Sequence, residues 1–100
     1  MSDTIELVRF RLKNDKTAAD WLKANEKIND WIKVQPGFRF RSLSETDDGE
    51  WIDMVYWESL DAAKACGTKF GEEMGPHCEP LIDMTSVMVS HSKAHVLQRG

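Results

Sequence analysis

Positive charge is in deficit in this chain. Thirteen lysines and arginines face seventeen aspartates and glutamates, for a net charge of −4. That balance predicts no strong attraction to nucleic acid or to an acidic membrane surface. Long apolar runs are missing as well. No stretch approaches the ~20 residues that a membrane-spanning helix needs. The opening MSDTIELVRF lacks the basic start and apolar core of a signal peptide, so a cytoplasmic location is expected. Cysteine is scarce. Cys66 and Cys78 are the only two, and without an export signal they read as free thiols rather than as a disulfide. They make no metal site with His77 either, because adjacent His77 and Cys78 cannot readily both reach one tetrahedral ion. Internal repeats, low-complexity tracts, a glycine-rich phosphate loop, a nucleophile elbow and a nucleotide fingerprint are also missing from the sequence.

What is present reads as one domain spanning 1–100. Charged residues make up 30% and apolar residues 41%, the balance of an ordinary soluble globular domain. Such a length buries roughly two thirds of the surface that the unfolded chain exposes, enough to fold without staples.

The plainest local signal is Pro36 to Ser59. Two alternating runs, Phe38 to Thr46 and Glu50 to Trp57, flank the turn Asp47-Asp48-Gly49 and predict a β-hairpin. In the first run Phe38, Phe40 and Ser42 share one face, and Arg39, Arg41 and Leu43 the other. In the second, Trp51, Asp53, Val55 and Trp57 oppose Ile52, Met54 and Tyr56. Neither face of that second strand is polar, so both sides need cover.

The remaining elements follow from periodicity. Thr4 to Leu12 alternates as a strand, with Val8, Phe10 and Leu12 on one face and Ile5, Leu7, Arg9 and Arg11 on the other. Asn14-Asp15 opens an amphipathic helix whose apolar stripe runs through Ala18, Trp21, Leu22, Ala24, Ile28, Trp31 and Ile32. Asn25 and Asn29 fall at the border of that stripe, and Pro36-Gly37 stops the helix at Gln35. Ser59 caps a second helix with a stripe of Leu60, Ala63, Cys66, Phe70 and Met74. Gly67 and Gly71 sit beside that stripe. They mark either close packing on a sheet, a break into two short helices, or a void that holds a small ligand. Gly75-Pro76 ends this helix, and one more turn can follow before a last strand from Thr85 to His91.

The order strand, helix, strand, strand, helix, strand is the split βαβ arrangement of a ferredoxin-like α+β fold. Right-handed crossovers put both helices on one face of a four-stranded antiparallel sheet. The other face also carries apolar side chains, and two identical sheets packed together would bury it, so a homodimer is expected.

The stretch PGFRFRSLSETDDGEWIDMVYWESLDAAKA, residues 36–65, resembles the antibiotic biosynthesis monooxygenase domain of the dimeric α/β-barrel superfamily. The resemblance rests on Pro36-Gly37 after the first helix, Trp57-Glu58-Ser59 at the end of the hairpin, and Leu60-Asp61-Ala62-Ala63 opening the second helix. It implies a dimeric α/β barrel with a pocket in each subunit between helices and sheet. It also implies a cofactor-independent monooxygenase acting on a small aromatic or quinol-like molecule, with molecular oxygen as co-substrate. A non-catalytic ligand-binding or scaffold dimer of the same fold is the alternative. Haem-degrading relatives use an asparagine on the first strand, a tryptophan in the second helix and a histidine just beyond. Only His77 falls at such a place; Cys66 stands near the tryptophan position and Thr4–Leu12 holds no asparagine.

Cofactor-free oxygenation needs a base, a polar anchor and apolar walls. His77 and His91 are the candidate bases, because histidine titrates nearest neutral pH. Tyr56, Asp53 and Arg9 are candidate polar groups, with Tyr56 grouped with the histidines as catalytic. Trp21, Trp57, Phe70 and Met74 are candidate walls.

Overall fold

The structure is a computed structural model and describes residues 3–100. The elements run β1 (Thr4–Leu12), α1 (Ala18–Ile32), β2 (Phe38–Glu45), β3 (Trp51–Trp57), α2 (Leu60–Glu73), α3 (Gly75–Cys78) and β4 (Ile82–Lys93). The strands form one antiparallel sheet in the order β2-β3-β1-β4. This is the expected ferredoxin-like βαββαβ arrangement, with the two long helices on one face. Among the described residues, no helix is long and apolar enough to cross a membrane.

Local chemistry accounts for most of the boundaries. Ser59 Oγ accepts from the Ala62 N–H at 3.1 Å and caps α2 as expected. The cap of α1 is not at Asn14-Asp15 but at Thr17. Thr17 Oγ1 accepts from the Asp20 N–H at 3.2 Å, while Asp20 Oδ2 accepts from the Thr17 N–H at 2.8 Å. That reciprocal capping box satisfies two N–H groups that the first turn leaves over, and the bond from the Thr17 N–H holds the Asp20 carboxyl below its usual range. At its other end α1 stops at Ile32, short of Gln35. Gly37 has φ +83, and a Cβ there would meet Ala62 Cβ at 2.7 Å, so only glycine fits. Gly49 closes the hairpin with φ +87.

The inner face of the sheet meets both helices. Phe10, Trp21, Ile28, Trp51 and Ile82 pack as one buried group; Ile32, Val55, Trp57, Ala63 and Cys66 form a second. Trp57 is fully buried against Phe38, with rings 5.9 Å apart and edge to face. Truncating such a tryptophan to alanine costs about 3–5 kcal/mol. Leu22, expected in the stripe of α1, is exposed.

Strand β2 does not alternate as the sequence predicts. Its pairing with β3 shifts register between Phe38 and Phe40, since Phe38 stands opposite Trp57 and Phe40 opposite Tyr56. A β-bulge absorbs one extra residue there. Phe38 therefore joins Arg41 and Leu43 on the inner face, whereas Phe40 and Ser42 face outward. The outer face collects Ile5, Leu7, Ile52, Met54, Tyr56, Phe40 and Met88. Phe40 is 54% exposed and Met88 63% exposed, so this layer presents apolar surface to solvent.

Candidate functional site

A cavity of about 720 Å³ lies between the inner face of β1, β3 and β4 and the helices. That volume suits a small organic ligand. Its floor is Val8 and Phe10 on β1, Val55 on β3 and Val87 and Val89 on β4; Trp21, Ile28 and Phe70 wall it from the helices. Gly67 and Gly71 border it. A Cβ added to either meets nothing within 4 Å, and α2 runs unbroken from Leu60 to Glu73. Of the three readings of these glycines, close packing and a helix break are excluded; both glycines are exposed and border the open side of the cavity.

Two polar pairs interrupt the apolar floor. His91 on β4 stands directly opposite Glu6 on β1, and His91 Nε2 lies 2.9 Å from Glu6 Oε2. An ionised carboxylate only accepts, so Nε2–H is the donor, and among the described residues Nδ1 has no hydrogen-bond partner. Both residues line the cavity.

The second pair is Arg41 with Asp53. Arg41 Nε donates to Asp53 Oδ1 at 3.0 Å and Nη2 to Oδ2 at 2.8 Å. Nη2 also donates to Asn25 Oδ1 at 2.7 Å and Nη1 to Asn29 Oδ1 at 2.7 Å. The Arg41 side chain is only 6% exposed. Such a forked, charge-assisted contact fixes both partners in orientation. Asp53 faces the cavity and Arg41 lies behind it.

Cys66 and Cys78 are free, buried and at the cavity wall. Burial pushes the Cys66 thiol up to about 12 and the Cys78 thiol to about 11, so neither is a nucleophile at neutral pH. Among the described residues, no three His, Cys, Asp or Glu side chains converge as metal ligands.

The structure thus brings four of the expected site residues to the cavity: Trp21, Asp53, Phe70 and His91. The other five lie elsewhere. Tyr56 and Arg9 sit on the outer face, where Tyr56 packs edge to face on Phe40 at 5.9 Å and Arg9 pairs with Glu50 at 2.8 Å. Trp57 and Met74 are buried in the core and do not reach the cavity. His77 is in α3, where its Nε2 donates to the Ala24 carbonyl at 3.1 Å and ties that turn to α1. Glu6 and Arg41 were not anticipated. For Glu6 the signal was parity, a charged residue in phase with Val8, Phe10 and Leu12 on β1; for Arg41 there was none, since the bulge in β2 is what turns it inward.

No protein-family model matches the chain, and no curated protein matches it. Solved structures do. A Nitrosomonas europaea protein of unknown function superposes with a TM-score of 0.80 at 9% identity, covering 100% of this chain and 96% of that one. The ActVA-Orf6 monooxygenase of Streptomyces coelicolor, solved in complex with nanaomycin D, gives 0.76 at 15% identity, over 99% and 93%. SnoaB, a cofactor-independent oxygenase from Streptomyces nogalater, gives 0.69 at 18% identity, over 99% and 97%. At such identities the shared property is architecture. The chain has the ferredoxin-like α+β fold of the antibiotic biosynthesis monooxygenases, the fold that the resemblance in residues 36–65 implies.

Proposed function

We propose that this chain is a cofactor-independent oxygenase that admits a small aromatic or quinol-like molecule to the inner cavity and lets it react with molecular oxygen. The observation that carries this reading is His91, held on Glu6 at 2.9 Å through Nε2, with no partner for Nδ1 among the described residues and the ring lining an apolar cavity. Nδ1 takes the acidic proton of the ligand, and Glu6 steadies the imidazolium that forms. The apolar floor and the ligand's own bulk shield the resulting carbanion or phenolate, which stays electron-rich. Where an activated CH₂ becomes a carbonyl, its carbon gives up four electrons to dioxygen. One oxygen atom ends in the carbonyl and the other in water, so no further reductant is required. The fold shared with SnoaB and with the ActVA-Orf6 monooxygenase supports the reading. The working form is a homodimer closed through the outer sheet faces, which carry Phe40, Tyr56 and Met88.

The test is oxygen uptake with a panel of anthrones and naphthalene hydroquinones. His91→Ala should lower turnover by about 100-fold or more, whereas His77→Ala should leave it unchanged. Full activity in the His91 variant would overturn the assignment of the base.

A second reading has its own observation. Met84 and Val89, both in the cavity wall, are more than half exposed, so the cavity opens to water. That suits a ligand-binding dimer without catalysis. Saturable binding of the panel with no oxygen uptake above the protein-free rate would favour it. A haem titration without a Soret shift would dispose of haem as the ligand.

A further inference from the structure

The two polar pairs share one stretch of the sheet. His91 on β4, Glu6 on β1, Val55 on β3 and Arg41 on β2 stand opposite one another in one row, and Asp53 lies two residues along β3 from that row. Glu6 stands opposite Val55 and Asp53 opposite Val8, so the two carboxylates are diagonal neighbours on adjacent strands. Diagonal neighbours of this kind have backbones about 7–8 Å apart. The partners of the two carboxylates are not equally available. His91 lines the cavity beside Glu6, but Arg41 spends four of its N–H donors on Asp53, Asn25 and Asn29. At this end Asp53 lines the cavity and Arg41 does not.

We infer that Asp53 is a second recognition point, which accepts a hydrogen bond from an O–H or N–H on the ligand end remote from His91. Arg41 is its positioning residue, fixing both carboxylate oxygens from behind and leaving each with acceptor capacity. The ligand class follows. It is a flat aromatic molecule with a donor at each end, one meeting His91 and the other Asp53, and it carries no carboxylate or phosphate. An anionic group at the Asp53 end would meet a carboxylate that only accepts, with four of the five N–H donors of its partner Arg41 already engaged, so a neutral donor fits there better. The inference rests on the reading of the cavity as a ligand site and narrows what that site accepts.

Isothermal titration with three probes of one skeleton tests it: 2,6-dihydroxynaphthalene, 2-naphthol and 6-hydroxy-2-naphthoate. The wild-type chain should bind the diol about tenfold more tightly than the mono-ol, since a hydrogen bond to a charged acceptor is at stake. The naphthoate should bind more weakly than the mono-ol. In Asp53→Asn the diol should lose its preference while 2-naphthol keeps its affinity, and the naphthoate should gain. Should Asp53→Asn unfold, the double variant Arg41→Gln with Asp53→Asn replaces the ion pair by an amide pair and makes the same comparison. Equal binding of diol and mono-ol by the wild type, or a preference that survives without the carboxylate, overturns the inference alone. Failure of all three probes to bind overturns the ligand-site reading together with it.

Discussion

Phe38 and Phe40 stand two residues apart in one strand and face opposite sides of the sheet. Phe38 packs on Trp57 in the core and Phe40 on Tyr56 outside, each pair edge to face at 5.9 Å. The bulge between them is what allows one short strand to serve the core and the outer surface at once. It also turns Arg41 inward, to where Asp53 and the asparagines of α1 receive it.

That division predicts two different phenotypes. Phe38→Ala should lower stability by about 2 kcal/mol in denaturant unfolding. Phe40→Asp should leave the core packing alone and, if a twin molecule shields the outer face, convert a dimer to a monomer in analytical ultracentrifugation. A wild-type chain that sediments as a monomer at high concentration would remove the homodimer from the proposal.

On the proposed reading Glu6 acts on catalysis only through His91, so its removal should be milder than removal of the histidine. Glu6→Gln retains the shape and an acceptor oxygen but not the charge that steadies the imidazolium. Turnover in the oxygen-uptake assay should fall about tenfold, with substrate binding close to unchanged. An equal loss for Glu6→Gln and His91→Ala would mean that the pair works as one device. No loss at all would leave the 2.9 Å contact as a merely structural tie.

Local chemistry made much of the fold legible in the sequence. The bounds of β1, the hairpin turn at Gly49 and the Ser59 cap depend on neighbours a few residues away. The cap at Thr17 was equally local, since Thr17 and Asp20 stand at capping-box spacing, but Asn14-Asp15 offered a competing signal. The bulge was not legible, because one added residue in β2 is fixed by its pairing with β3 and leaves no mark on composition. The site was legible in half. His91 and Asp53 fall on the expected strand faces, yet the partner of His91 lies 85 positions away and that of Asp53 lies on a strand whose parity the bulge inverts.

The buried thiols carry a pH signature. A thiol whose folded value is raised above its ordinary 9 keeps a proton that the unfolded chain gives up. This contribution to stability is fully present below pH 9 and is lost as pH rises towards about 11 for Cys78 and about 12 for Cys66. Urea midpoints should therefore fall between pH 9 and 11, and less steeply in a variant with both Cys66→Ala and Cys78→Ala. At pH 8 iodoacetamide should modify neither thiol in the folded chain and both in urea. Rapid modification of the folded protein would contradict the burial.

Gly67 and Gly71 separate packing from function. If they served close approach of α2 to the sheet, a methyl at either would clash; in fact a Cβ meets nothing within 4 Å. Alanine at each position should accordingly stabilise the helix by about 0.5–1 kcal/mol, the usual gain over glycine. A large side chain tests the other half of the argument. Gly71→Leu adds bulk at the border of the cavity that Phe70 and Cys66 line. It should raise the melting temperature or leave it unchanged while weakening aromatic binding about tenfold, which is 1.4 kcal/mol of lost contact. The glycines would then be kept at the expense of helix stability because the room beneath them is used. Undiminished binding in Gly71→Leu would place the ligand elsewhere on the chain, and destabilisation by Gly67→Ala would return these residues to a packing role.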